Sequence, residues 1–260
     1  ITGRKGNIYY ECADISYRLD AQSAGGKETE FNVKTTVKEK DRNNVIYSLQ
    51  ESLKANRMGR LADERRNIDL NKAEKQYGIF ILNVEITDSA NGITLSDQIE
   101  FSSVMSSEPN SYMGISNHFS AAGGDAENGM KISGKSGFGM SRDEIRWHDV
   151  EGNKDEYKLS EFNQKWLDEC RNNNIEPYVI IDGNSVHLDE YPPKKDTLTD
   201  YGKLAHWIAS NTREYTNKYE IWNEYNLYSE KEASDSDYAS PQNYAGLLKA
   251  SYSQIHSGNE

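Results

Sequence analysis

The sequence lacks the features of several protein classes. It contains no apolar run approaching the roughly 18 residues that a membrane helix requires, and Ile1-Thr2-Gly3-Arg4 does not begin a secretion signal. Basic residues are outnumbered, since 30 Lys and Arg stand against 42 Asp and Glu, which leaves a net charge of −12. Proteins that bind nucleic acid concentrate positive charge on one surface. We therefore expect no membrane span and no nucleic-acid partner.

The sequence also has few residues that could cross-link the fold or hold a metal ion. Its two cysteines, Cys12 and Cys170, fall in a strand pattern and on the apolar face of a helix pattern. We expect two buried free thiols rather than a disulfide. His148, Asp149 and Asp182 are metal ligands by type, but their spacing matches no ligand set. The sequence therefore predicts neither a metal site nor a cofactor.

The remaining composition is that of a folded protein with two domains. Hydrophobic residues make up 35% and charged residues 28% of the 260 positions, and the apolar residues are periodic rather than scattered. This length suits one large domain or two ordinary ones. Near residue 108 the pattern changes from successive strands to strands that alternate with helices. We therefore place the domains at 1–106 and 107–260.

The first domain has the period-two pattern of half-buried strands. Alternating apolar positions occupy the predicted inner face, at Ile15, Tyr17 and Leu19 and again at Phe31, Val33, Thr35 and Val37. Further apolar runs cover 45–49, 80–86 and 99–101. Roughly six or seven short strands joined by Gly, Asn and Asp turns predict an all-β, immunoglobulin-like sandwich.

Finer expectations for this domain concern its turns and its surface. Asn91-Gly92 supplies the positive-φ residues of a hairpin turn. Residues 54–66 are too charged for a core, which predicts a loop or a poorly formed strand. The strand tyrosines are expected to be half-buried rather than to form sugar-stacking platforms. These are Tyr9, Tyr10, Tyr17, Tyr47 and Tyr77.

The second domain has strands that alternate with helices. Runs at 113–119, 138–147, 177–184 and 219–222 predict strands, and a helical pattern follows each one. Successive strand-then-helix units imply parallel strands with right-handed crossovers. Ser160 is predicted to be the N-cap of one helix, and Ser240 that of another, with Pro241 at its first position. The first of these helices is expected to bury Phe162, Trp166 and Cys170 on one apolar face, with Leu167 beside them.

Two architectures are compatible with these units. An open doubly wound sheet usually has a G-x-G-x-x-G turn after its first strand, and residues 121–125 lack that spacing. In a (β/α)₈ TIM barrel, polar residues gather at the carboxyl ends of successive strands. Those ends here carry His118, then residues 142–149, then Asp182 and Asn184, then Asn223 and Glu224. The sequence thus favours an α/β (β/α)₈ barrel of which about four units are present.

Five ordered segments of the second domain resemble the clan A glycoside hydrolases. They are Ile-Trp-Asn-Glu-Tyr-Asn at 221–226, Gly-Ile-Ser-Asn-His at 114–118, Arg142 with 144–147, residues 177–184, and residues 240–248. These segments look like the fourth, first, second and third strands of that clan and the helix after the fourth. Their order and spacing are most similar to family 39, the β-xylosidase-like enzymes.

The resemblance implies a retaining β-glycosidase in which Glu224 is the general acid/base. A glycosidic oxygen is a poor leaving group, so a carboxyl group must protonate it while a second carboxylate meets the oxocarbenium-like carbon, about 5–5.5 Å away. Partial burial and the charge of that partner are expected to raise the pKa of Glu224. Asn223 resembles the family residue that hydrogen-bonds the sugar 2-hydroxyl group.

The resemblance gives the other strand-end residues less defined roles. His118 contacts the sugar by analogy, or is an ordinary strand-end histidine. Arg142 is expected to fix a neighbouring carboxylate and so support the site. Trp147 is either a stacking platform or a core residue. Substrate contacts are further expected from Asp182, Asn184 and Tyr225.

A whole barrel needs about 250 residues, and residues 111–260 supply only part of one. The family nucleophile is a Glu at the end of the seventh strand, so we expect it outside this chain, which alone would be inactive. The remaining half barrel is expected from a missing C-terminal segment or a second polypeptide. The alternative function is a non-catalytic glycan-binding or structural protein on the same scaffold. Polysaccharide substrates favour an extracytoplasmic location.

Overall fold

The computed structural model describes residues 7–12, 15–71, 73, 76–121, 123–188, 192–193, 197–229 and 240–259. The chain divides into two compact units, Ile1–Ser106 and Ser107–Glu260. Each unit has a hydrophobic core of its own.

The first unit is built from strands alone, within the part that is described. These strands are β1 Ile8–Tyr10, β2 Ser16–Gln22, β3 Glu30–Glu39, β4 Val45–Lys54, β5 Arg60–Asn67, β6 Gly78–Asp88 and β7 Thr94–Val104. Among the described residues they form a five-stranded sheet in the order β1-β7-β6-β3-β4 and a pair of β2 with β5. The contact of β1 with β7 is parallel and the others are antiparallel.

The two sheets of the first unit share one core. The predicted alternation is confirmed, since Tyr17 and Leu19 of β2 and Phe31 and Val33 of β3 are buried. They pack in one cluster with Leu82 of β6. Alternate residues of a strand face opposite sides, so one apolar set from each sheet is sufficient to build this core.

The charged stretch predicted as a loop or poorly formed strand is a turn over 55–59 but a strand over 60–66, so the prediction is wrong for the second part. Strand β5 pairs with β2 along its length. Leu61 points into the core, while Arg66 Nε donates to Glu51 Oε1 at 2.8 Å and Arg66 Nη1 to Glu64 Oε2 at 3.1 Å. Paired charges on the outer face of a strand are compatible with a sheet.

The predicted hairpin turn is confirmed between β6 and β7, although only Gly92 of the Asn91-Gly92 pair has a positive φ angle. Gly92 has a φ of +71°, which only glycine adopts without strain. The Asp88 carboxylate accepts hydrogen bonds from the hydroxyl groups of Ser23 at 2.6 Å and Thr29 at 2.7 Å, and from the Ala90 amide at 2.9 Å. These hydrogen bonds, above all that from Ser23, lower the pKa of Asp88.

The second unit combines one parallel sheet with helices. Its strands are β8 Ser107–Ser116, β9 Ser136–Arg146, β10 Glu176–Asp182 and β11 Tyr219–Ile221. Its helices are α1 Ala126–Lys135, α2 Trp147–Val150, α3 Glu161–Asn172, α4 Leu198–Thr212 and α5 Pro241–Gly258. The described sheet has the order β11-β10-β9-β8, and each neighbouring pair is parallel. The carboxyl ends of these strands therefore lie at one edge.

Local sequence signals explain where two of these helices begin. The Ser160 side chain accepts the Asn163 amide in a capping box at the start of α3. Ser240 does the same for Asn243, with Pro241 at the first position of α5. Both predicted N-caps are confirmed. No helix in the described segments is long and apolar enough to cross a membrane.

The predicted apolar face of α3 is partly wrong. Trp166 and Cys170 are buried, but Phe162 is 41% exposed. The buried stripe also contains Asn163 and Leu167, which gives the spacing i, i+3, i+4, i+7 of one helix face. Phe162 precedes that stripe by one residue and so lies about 100° away around the helix.

Both cysteines are buried and free, as expected. Cys170 of α3 lies against Met130 of α1, with 3.4 Å between the two sulfur atoms. Cys12 does not lie in a strand, because the chain turns after β1 and both Glu11 and Cys12 have positive φ angles. The cysteines therefore contribute packing to two separate cores.

Candidate active site

The parallel sheet brings several predicted residues to its carboxyl edge. Asp182 is the last residue of β10, while Asn223 and Glu224 follow β11 directly after Trp222. His118 lies two residues beyond β8 and is exposed. Arg142 lies inside β9, four residues before its end. The edge therefore combines acidic, basic and amide side chains.

Arg142 joins three strands at this edge. Its Nε donates to Glu220 Oε2 at 2.8 Å and its Nη2 to Glu220 Oε1 at 2.7 Å, a bidentate pair between β9 and β11. Its Nη1 donates to Ser116 Oγ on β8 at 3.2 Å. A planar guanidinium with two parallel hydrogen bonds to one carboxylate has little freedom to rotate. Arg142 is therefore a fixed donor. The hydrogen bond to Glu220 is also the largest cause of the raised pKa of Arg142.

The same guanidinium sets the orientation of Asn223. Arg142 Nη2 also donates to Asn223 Oδ1 at 2.9 Å. Because arginine has no acceptor, the amide of Asn223 must turn its oxygen toward Arg142. The Nδ2 amino group consequently points away from the guanidinium, where it can donate to a ligand. Asn223 is half-buried at this position.

The turn that carries Asn223 and Glu224 has an unusual backbone. Trp222 and Glu224 have φ angles of +67° and +52°. A non-glycine residue in this region costs about 1–3 kcal/mol and persists only where its surroundings hold it. The Trp222 amide donates to Ile181 O at 2.9 Å, and the Trp222 ring packs between Tyr201 and Tyr225. The strained turn is therefore anchored by β10 and by aromatic packing.

Asp182 is a buried carboxylate at the end of β10. Its side chain is 7% exposed, and its Oδ1 accepts the Gly183 amide at 2.5 Å. Burial raises the pKa of Asp182 to about 6, and the charge of Glu144 acts in the same direction. The hydrogen bond from Gly183 and the charge of Arg146 oppose this rise.

A glycine permits the sharp turn after Asp182. Gly183 has a φ of +82°, and a Cβ atom there would lie 3.0 Å from His148 Nδ1 and 3.2 Å from the Trp147 amide nitrogen. Both the conformation and the close approach exclude a side chain. Gly183 therefore allows β10 to end against the start of α2.

A buried carboxylate of β9 holds the loop after β8. Asp143 accepts the Ser120 amide at 3.0 Å and the Ser120 hydroxyl at 2.7 Å. Burial raises the pKa of Asp143, although these hydrogen bonds oppose the rise. The loop containing His118 is thereby tied to β9.

Two of the predicted substrate-contacting residues, Trp147 and Tyr225, are buried in the core, while Asn184 lies beyond the end of β10 as expected. Trp147 is 1% exposed and packs against Tyr201, so it is a core residue and not a stacking platform. Tyr225 is 7% exposed and packs against Trp222 and Tyr244; its ring belongs to the core of the unit. Asn184 is half-buried and donates to the neighbouring Ser185 carbonyl at 3.5 Å.

Glu224 also differs from expectation in one respect. Its side chain is exposed rather than partly buried. The reason is local: the positive φ of Glu224 turns the chain out of the sheet, and a short 3₁₀ helix, Tyr225–Ser229, follows. Its carboxylate is therefore accessible to a ligand from the carboxyl edge of the sheet.

Two acidic residues of the site escaped the sequence analysis. Glu220 is the partner of Arg142, and Glu144 is a buried residue of β9 whose Oε2 accepts Arg146 Nε at 2.7 Å. A signal was present, because a charged residue that a strand buries must have a partner. The partner of Glu144, Arg146, lies two residues further along the same strand, whereas the partner of Glu220 lies on another strand and cannot be identified from spacing.

The described residues contain no group of three or more His, Cys, Asp or Glu side chains able to hold a metal ion. A cavity of about 650 Å³ lies in the first unit, between β2 and the β6–β7 hairpin. Its lining combines apolar side chains such as Leu82, Val84 and Ile86 with polar ones such as Arg18 and Asp97. Tyr9, Tyr10 and Tyr17 are buried more completely than the half-buried state expected.

Comparison with solved structures shows that the chain shares its fold with part of a known enzyme. The chain superimposes on a family 39 glycoside hydrolase from the gut symbiont Bacteroides cellulosilyticus WH2, with a TM-score of 0.65 and 16% identity. The match covers 98% of this chain and 48% of that chain. The chain therefore spans about half the length of that enzyme and shares its fold over this half, as the sequence resemblance led us to expect.

Other matches are weaker. A Bacteroides uniformis β-glucuronidase gives a TM-score of 0.34 at 10% identity, over 94% of this chain and 30% of that chain. A family 123 glycoside hydrolase from Clostridium perfringens gives 0.38 at 9% identity, over 94% and 56%. No family model and no curated protein sequence matches the chain.

Proposed function

We propose that the chain is part of a retaining glycoside hydrolase that cleaves β-linked glycans, with Glu224 as general acid/base. The observation that carries this proposal is the pairing of an exposed carboxylate, Glu224, with an adjacent amide, Asn223, whose orientation Arg142 fixes. Hydrolysis of a glycoside requires both a proton donor and a neutral donor to the sugar hydroxyl groups. The family 39 fold supports the same reading.

The reaction begins with the sugar bound at the carboxyl edge of the parallel sheet. Asn223 Nδ2 donates to the sugar 2-hydroxyl group, and Glu224 protonates the glycosidic oxygen as the bond to the anomeric carbon breaks. A nucleophilic carboxylate outside these 260 residues forms the glycosyl-enzyme intermediate. Glu224, now ionised, then removes a proton from the water that releases the sugar. Asp182 and Asn184 contribute through the loop after β10, and His118 contacts the sugar from the loop after β8.

The proposed parent fold is a (β/α)₈ TIM barrel preceded by an immunoglobulin-like sandwich. Strands β8 to β11, each followed by a helix, are its first four units. Further chain, or a second polypeptide, supplies the remaining units and the nucleophile, so the 260-residue chain alone is inactive. Because such enzymes act on polysaccharides, we place the protein outside the cytoplasm.

The proposal is tested with Glu224→Gln in a form of the protein that contains a complete barrel. Removing the acid/base should lower hydrolysis of β-linked glycans by about 10²–10⁴-fold. Glu214→Gln is the matched control, because Glu214 is an exposed glutamate after α4, and its activity should equal that of the wild type. Unchanged hydrolysis by Glu224→Gln would remove Glu224 from the mechanism. Glycan binding without turnover by the wild type would instead support the non-catalytic alternative.

A further inference from the structure

Strand β9 presents a second arginine on the face that carries Arg142. Alternate residues of a strand face the same side, so Arg142, Glu144 and Arg146 lie on one face of β9. Arg146 is the last residue of the strand, at the carboxyl edge of the sheet. It therefore lies at the edge where the sugar is proposed to bind.

Glu144 holds the Arg146 side chain in place. The Nε and Nη2 atoms of Arg146 both lie 2.7 Å from Glu144 Oε2. The Glu144 side chain is 8% exposed and that of Arg146 is 36% exposed, so the carboxylate is buried while the guanidinium reaches the surface. Because the guanidinium is planar and rigid, this contact also orients its other N–H groups. Arg146 Nη1 makes no hydrogen bond to the described residues, which leaves it available to a ligand.

Arg146 is near enough to the acid/base turn to contact the same sugar. It lies directly across from Asp182 of β10, and β11, which leads into the turn of Glu224, is the next strand. Neighbouring strands are about 4.8 Å apart, so β9 and β11 lie about 10 Å apart. Arg142 already spans this separation, because its guanidinium binds Glu220 of β11. A sugar bound at Glu224 is therefore within reach of the Arg146 side chain.

The charges around Arg146 favour a ligand that has no charge of its own. Its positive charge is matched by Glu144 and faced by Asp182 across the sheet, and Asp149 follows in the first turn of α2. The sum over these four side chains is negative when they are ionised. An anionic sugar would be repelled by the carboxylates, whereas a hydroxyl group accepts a hydrogen bond from the guanidinium without that repulsion.

We propose that Arg146 recognises the sugar at this site. Its Nη1 group donates to a hydroxyl group of the sugar, while Glu144 holds the guanidinium and balances its charge, so that neutral sugars are preferred to anionic ones. This inference rests on the proposed function and specifies the substrate class of the same site. It adds a donor on β9 to the one that Asn223 provides after β11.

The inference is tested with aryl glycosides in a form of the protein that contains a complete barrel. The probes are the 4-nitrophenyl β-glycosides of glucose, galactose and xylose, which are neutral, and that of glucuronic acid, which carries a carboxylate. Arg146→Gln should lower kcat/KM for the best neutral probe by about 10–100-fold, chiefly through KM, because the hydrogen bond exists before the reaction begins. Arg213→Gln is the matched control, since Arg213 is an exposed arginine after α4, and its kinetics should equal those of the wild type.

Arg146→Lys tests the same donor without leaving Glu144 unpaired. Its single ammonium group can pair with Glu144 but lacks the planar array of N–H groups that would also reach a sugar. This variant should therefore raise KM for the neutral probes by about 10-fold. A wild-type KM in either variant that folds would overturn the role of Arg146.

Glu144→Gln tests the balance of charge. It keeps Arg146 and removes one negative charge beside it, so the ratio of kcat/KM for the glucuronide to that for the glucoside should rise by about 10-fold. A purely structural role of Glu144 would change both probes equally, so an unchanged ratio, or a wild type that prefers the glucuronide, would overturn the preference for neutral sugars. A wild type that hydrolyses none of the four probes would overturn the proposed function itself, whereas normal turnover with unaffected Arg146 variants would overturn this inference alone.

Discussion

The burial of Asp182 predicts a specific dependence of stability on pH. Folding raises the pKa of this carboxyl from 3.8 to about 6, so the protonated form is favoured in the folded state. Its stabilising contribution is complete below about pH 3.8 and is lost as the pH rises through about 6. A pKa shift of one unit corresponds to about 1.4 kcal/mol, so the whole contribution is about 3 kcal/mol.

The Asp182→Asn variant isolates this contribution. The asparagine does not titrate, so the variant should lack the loss that the wild type undergoes. The difference in the free energy of unfolding, variant minus wild type, should increase by about 2 kcal/mol between about pH 4.5 and 7.5. This difference is independent of any constant change in packing or hydrogen bonding that the substitution introduces.

Urea unfolding monitored by tryptophan fluorescence measures the effect in the second unit, which contains Asp182. All four tryptophans, Trp147, Trp166, Trp207 and Trp222, lie after residue 106. The signal therefore reports the second unit alone, and the midpoint and slope give its free energy of unfolding. An equal change with pH in wild type and variant would refute the burial argument for Asp182.

The other predictions concern one substitution in each unit. Arg142→Lys replaces the planar guanidinium by a single ammonium group, which cannot hold both Glu220 and Asn223. In a complete barrel kcat should therefore fall by up to about 10²-fold. Wild-type kinetics in this variant would show that catalysis does not depend on the orientation of the Asn223 amide. Folding lowers the pKa of Asp88 below its ordinary value of 3.8. Asp88 therefore stabilises the first unit at pH values above 3.8, and this stabilisation is lost as the pH falls through the pKa of the folded state. The protection of the β6 and β7 amides against hydrogen exchange should therefore fall on acidification in the wild type and fall less in Asp88→Asn. An equal fall in both proteins would contradict this prediction.

The parts of the fold that were predictable depend on short stretches of sequence. Ser160 and Ser240 are N-caps because the side-chain oxygen of each accepts a hydrogen bond from the backbone amide three residues later. The ends of β10 at Asp182 and of β11 at Ile221 lie close to where apolar runs give way to polar residues. Even the fold resemblance depends on such local segments taken in order. Signals of this kind require no knowledge of which strands become neighbours.

The parts that escaped depend on contacts between distant residues. Arg142 and Glu220 are 78 positions apart, and nothing in either local pattern selects the other. Trp147 and Tyr225 follow strands and look like site residues, but α4 and α5 cover them with Tyr201 and Tyr244. Strand β5 is too charged to be recognised alone, and its pairing with β2 makes it a strand.

Glu224 is the centre of the account, and its proton is the property to test. Two glycosides of one sugar can be compared, a phenyl glycoside that needs protonation to leave and a 2,4-dinitrophenyl glycoside that does not. In a complete barrel, Glu224→Gln should lower kcat/KM for the phenyl glycoside by about 10²–10⁴-fold and for the dinitrophenyl glycoside far less. Equal losses on both substrates, or none on either, would contradict the assignment of Glu224 as the general acid.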